Sequence, residues 1–66
     1  MSQDQVIEAY VELHLDLEAE EAATGKYPTH IAAKLLKLIA TMSYDQIQKA
    51  EATLTKVKQA ASMGNL

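Results

Sequence analysis

Met42-Ser43-Tyr44-Asp45-Gln46-Ile47 is the stretch on which the fold turns, because it carries the chemistry of a helix start. The Ser43 hydroxyl is placed to accept the backbone N–H three residues on, and the Gln46 side chain can return to the Ser43 N–H. This capping box satisfies two donors that a helix leaves free. Met42 and Ile47 stand in the two positions of a hydrophobic staple, which fixes the entry angle of the chain. The same arrangement occurs 41 residues earlier, as Met1-Ser2-Gln3-Asp4-Gln5-Val6. Both segments therefore predict helix starts. Ala9/Ala50 and Leu13/Leu54 match at the same offset, but a shared capping requirement explains the recurrence more simply than a duplication.

Working outward from Ser43, a helix over 44–63 carries Ile47, Ala50, Leu54, Val57 and Ala61 at spacings of 3, 4, 3 and 4. That is a narrow a/d seam just over two heptads long, too short to argue a coiled coil by itself. Upstream, residues 29–42 place Ile31, Ala32, Leu35, Leu36, Leu38, Ile39 and Met42 on one broad side, with Lys34 and Lys37 opposite. This second helix reads as the central core element. Gly25 and Pro28 are the only breakers before Gly64. They end a first helix of about 3–23, Thr24-Gly25 offering a left-handed cap. Val6, Ile7, Tyr10, Leu13, His14 and Leu17 fill an arc of about 120° on that helix, which Val11 and Leu15 widen toward about 180°. Alternation over residues 11–17 hints at a strand, but the flanking Ala- and Glu-rich sequence favours helix. The expected fold is all-α, a single three-helix domain over 1–66.

Size makes self-association the companion expectation. A 66-residue chain buries only about 60% of its unfolded surface, and one core below ~70–80 residues rarely supplies more than ~3–5 kcal/mol. The first two helices present more apolar face than the narrow third seam covers. A homodimer is expected to cover the remainder, with Ile7, Val11, Leu15 and Leu36 as the self-association residues.

Charge is divided along the chain. Through Gly25 there are seven acids and no Lys or Arg, a net of −7; from Lys26 onward six lysines face only Asp45 and Glu51, a net of +4. Such asymmetry speaks to solubility and association. Its sharpest element is the stripe Asp4, Glu8, Glu12, Asp16 and Glu20, spaced at i+4 without an intervening lysine. Each adjacent pair costs an isolated helix ~0.2–0.5 kcal/mol, and acids beyond the first turn gain nothing from the helix dipole. A solvated, solubilising face accounts for the stripe; so does a surface that docks on a basic partner or on the basic half of a second subunit.

Catalytic material is sparse. There is no Cys, no Gly-rich phosphate loop and no nucleophile turn, so the chain reads as non-enzymatic, without cofactor or metal. His14 has Glu18 at i+4 and Glu21 at i+7, but one helix cannot close a metal site, and ring packing with a bond to water or Glu18 is the plainer reading. His30 falls in the first turn of the second helix, where the dipole disfavours an imidazolium. Tyr27, extended before Pro28, offers either a binding anchor or a lid on the end of the core. No apolar run reaches the ~18 residues of a membrane span, and Met1 leads into Ser-Gln-Asp-Gln with no basic, then apolar, leader. The expected location is cytoplasmic. The functional expectation is a small regulatory, inhibitor or adaptor protein, in the style of host-directed or phage-type proteins. It would bind a basic protein through Asp4, Glu8, Glu12, Asp16, Glu20 and Tyr27. The alternative is a DNA- or RNA-binding helical dimer using the lysines of the second and third helices. The absence of Arg removes bidentate guanine reading and weighs against it.

Overall fold

Both serine caps form. In the computed structural model, which describes residues 2–64, the Gln5 N–H donates to Ser2 Oγ at 3.3 Å and the Ser2 N–H to Gln5 Oε1 at 3.0 Å. At the second site the Gln46 N–H donates to Ser43 Oγ at 3.1 Å and the Ser43 N–H to Gln46 Oε1 at 2.9 Å. The helices that follow are α1 (Gln3–Thr24) and α3 (Tyr44–Gly64), with α2 (Thr29–Ala40) between them. The chain is all-helical among the described residues, and the 11–17 stretch lies inside α1. The staple at α3 is realised as well: Met42 is buried, and the half-buried Ile47 packs against the same cluster. Its counterpart at α1 involves Met1, which lies outside the described residues.

The helix ends follow local chemistry. At the end of α1, Gly25 takes a left-handed φ of 72° and its N–H reaches the Glu21 carbonyl at 2.8 Å, closing the helix one residue later than expected. α2 stops at Ala40, two residues short of the expected end. The N–H groups of Thr41 and Met42 bond to the Leu38 and Ile39 carbonyls at 3.0 Å, a tighter i→i−3 pattern. The Thr41 hydroxyl takes the Leu38 carbonyl as well, at 2.7 Å. Met42 thus enters the core from the turn, freeing Ser43 to cap α3.

The central element is α1, not α2. α1 packs against both other helices, whereas α2 and α3 scarcely touch. The expectation of a central α2 came from its apolar breadth, but breadth on α1 has the same use: its wide arc is shared between two neighbours in one chain. Val11 is consequently only 7% exposed, so a lone chain does not leave it wet. Ile7 and Leu15 are half-buried against the core, while Leu36 stands 66% exposed. Tyr10, Val11, Leu35, Met42, Ala50 and Leu54 form the buried cluster.

α1 lies between α2 and α3 in a Cα envelope of 32 × 28 × 16 Å. Ala50, fully buried, has a side chain small enough to let the backbones of α1 and α3 approach closely where they meet. Tyr10 Oη donates to Glu51 Oε1 at 3.4 Å beside it, each residue eight positions after its own serine cap. Past Leu54, α3 leaves the core: residues 55–64 are all exposed, so the Val57 and Ala61 end of the seam is not used within the chain. The accessible surface of 4809 Å² exceeds the about 4,100 Å² of a compact monomer of this mass.

Candidate protein-docking groove

Beyond the buried cluster the space between α1 and α3 differs from one end to the other. Between the C-terminal halves of α1 and α3, Lys58 Nζ meets Glu18 Oε1 at 2.6 Å. Between the N-terminal half of α1 and the C-terminal half of α3 lies a groove of about 400 Å³. Ile7, Val11, Thr53 and Val57 form its apolar part; Asp4, Glu8 and Glu12 stand along one side. The origin is helical periodicity. Residues 4, 8 and 12 follow one another on α1 at i+4, and residues 7 and 11 form the row beside them. Val57, 38% exposed, supplies the opposite wall because α3 has already diverged from α1 there.

The groove has a single sign of charge. Its lining holds three carboxylates and no base. Ion pairs among the described residues join Lys49 to Asp45 at 3.2 Å and Lys58 to Glu18, and neither involves Asp4, Glu8 or Glu12. Carboxylates set along a low-dielectric apolar wall focus a negative potential into the space between the helices.

Of the residues expected to bind a partner, Asp4, Glu8 and Glu12 are brought to the groove; Asp16 and Glu20 are exposed further along α1 and do not line it. Tyr27 follows the C-terminal end of α1 at Thr24, which is itself about 18 Å along the axis from Glu12. It is 60% exposed and closes nothing, and its neighbour Pro28 is the buried residue. Two of the residues expected at a self-association surface, Ile7 and Val11, line the groove, while Leu15 and Leu36 lie outside it. Sequence reasoning missed Thr53 and the groove-facing role of Val57. Their i+4 spacing puts them on one face of α3, but only the packing of α3 on α1 brings that face into one groove with the acidic stripe.

The histidines take part in no such arrangement. His14 is half-buried with its ring centroid 4.8 Å from that of Tyr10, and Glu18 is engaged by Lys58, not by His14. His30 is exposed. The described residues contain no group of three metal-ligating side chains, and no described helix is long and apolar enough to cross a membrane. The lysines of α2 and α3 sit on helices that scarcely touch each other. Burial raises the Tyr10 phenol above its ordinary pKa, and the charge of Glu51 and its hydrogen bond add to the shift. Comparison with protein-family models, with curated proteins and with solved structures finds no match.

Proposed function

We propose that the chain is a small non-enzymatic regulatory or adaptor protein that binds a basic protein partner at the acidic face of α1. The observation carrying this reading is the coincidence of three unpaired carboxylates, Asp4, Glu8 and Glu12, with an apolar groove walled by Ile7, Val11 and Val57. A merely solubilising stripe gains nothing from an apolar groove beside it. An amphipathic segment with lysines or arginines flanking an aliphatic side chain suits both features: the aliphatic group fills the groove and the cations lie along the acids. The acids act chiefly by steering encounter, and the groove by slowing departure.

The test uses a synthetic amphipathic peptide with lysines at i and i+4 around a central leucine, and a counterpart bearing glutamates in place of the lysines. The lysine peptide is expected to bind wild type with an association rate that falls as salt rises. Asp4→Asn/Glu8→Gln/Glu12→Gln is expected to slow association and flatten its salt dependence. Equal binding of both peptides, or an unchanged rate in the triple variant, contradicts the reading.

A further inference from the structure

A second copy of this chain carries the chemistry that the groove accepts. On α2 the buried residues Ala32 and Leu35 and the half-buried Ile31, Leu38 and Ile39 face the core. Next to that face runs a second, exposed row of Thr29, Ala33, Leu36 and Ala40, spaced 4, 3 and 4. Leu36 is its one large side chain, 66% exposed in the middle of a helix. Between Lys26 and Tyr44 the chain holds three lysines and no acid, and Lys26, Lys34 and Lys37 form no ion pair among the described residues. The α2 helix is therefore an aliphatic knob on a helix with a charge of +2, from Lys34 and Lys37, and the groove is an apolar recess with a charge of −3.

We propose that this groove is a self-docking site: Leu36 from α2 of a second copy seats against Ile7, Val11 and Val57, with Lys37, on the flank of Leu36, beside the carboxylates Asp4, Glu8 and Glu12. In a two-fold dimer each chain gives its Leu36 and receives its partner's, so the contact closes. The small residues Ala33 and Ala40 on either side of Leu36 let the helix approach the groove closely. The inference rests on the groove being the docking surface assigned above, and it makes a second copy a competitor with the basic partner for that surface.

Sedimentation of the full chain at high micromolar concentration tests it. Wild type is expected to run at twice the 7.2 kDa chain mass. Leu36→Asp, at a position that the monomer leaves exposed, is expected to halve the mass with the helical circular dichroism retained. Two charge variants give a second measurement that does not depend on that substitution. Lys37→Glu and Glu8→Lys/Glu12→Lys are each expected to be monomeric alone and to form a mixed dimer when combined, because both reciprocal contacts then regain opposite charges. A wild type of single-chain mass overturns the proposal, as does a dimer indifferent to Leu36→Asp or a pair of monomeric charge variants that do not recombine. A monomeric wild type that still binds the lysine peptide refutes self-docking alone and leaves the groove's role as a partner site standing.

Discussion

Leu54→Ala is expected to cost this chain most of its stability. Leu54 is 8% exposed and belongs to the buried cluster where α3 meets α1, together with Tyr10, Val11 and Ala50. Truncating a buried leucine costs ~2–5 kcal/mol through lost transfer energy and the cavity left behind, while a core of this size holds ~3–5 kcal/mol in total. Taking about 4 kcal/mol for the wild type and about 3 kcal/mol for the substitution, the unfolded fraction rises from ~0.1% to ~15% at room temperature. At ~4–8 °C per kcal/mol for a domain of this size, the melting temperature falls by ~12–24 °C. Far-UV circular dichroism melts at low micromolar concentration measure this, with Leu36→Ala as the matched control. The control removes the same three carbons from a side chain that is 66% exposed, so its effect is expected within ~0.5 kcal/mol. If Leu54→Ala melts with the wild type, or Leu36→Ala melts as early as Leu54→Ala, the assignment of the core to the α1–α3 contact is wrong.

Ser43→Ala removes the cap of α3 and is expected to cost ~1 kcal/mol, read as a lower urea midpoint with an unchanged slope. An unaltered midpoint contradicts the helix-start argument. Tyr10→Phe addresses alkaline pH. Because the folded state raises the Tyr10 pKa, folded protein holds the phenolic proton where unfolded chain has begun to lose it, and stability falls as pH rises above about 10. The phenylalanine variant is expected to lose part of that alkaline decline, which a pH series of urea titrations measures; curves that stay parallel through pH ~11 refute it. Glu8→Gln/Glu12→Gln/Asp16→Asn removes all four like-charged i,i+4 pairs of the stripe and is expected to gain ~1–2 kcal/mol, while binding the lysine peptide more slowly. Loss of stability would show that the stripe contributes to the fold itself.

Helix starts were legible because they are local. Ser2 with Gln5 and Ser43 with Gln46 specify their hydrogen bonds within three residues, and Gly25 meets a left-handed requirement that the helix end imposes. The packing order was not legible in the same way. The apolar breadth of α2 and of α1 looks alike on a helical wheel, and only the three-dimensional arrangement gives α1 two neighbours, leaving Leu36 on the outside and Val11 within. The a/d pattern of α3 continues through Val57 and Ala61, yet burial stops at Leu54, because a seam describes which face is apolar and not how far along it a partner covers it. The acidic stripe was visible at once as Asp4, Glu8, Glu12, Asp16 and Glu20. That its first three members border an apolar groove depends on Thr53 and Val57, more than 40 residues away in sequence.

The central claim is that the groove between the N-terminal half of α1 and α3 is a docking surface for a basic amphipathic segment. Amide and methyl chemical-shift mapping on the wild-type chain, titrated with the lysine peptide, tests it most directly. The account predicts that the largest shifts fall on Asp4, Ile7, Glu8, Val11, Glu12, Thr53 and Val57, while Glu20, Glu21 and Tyr27 move little. Shifts spread evenly along the acids of α1, with Thr53 and Val57 unmoved, would contradict it and leave the stripe as a solvated face.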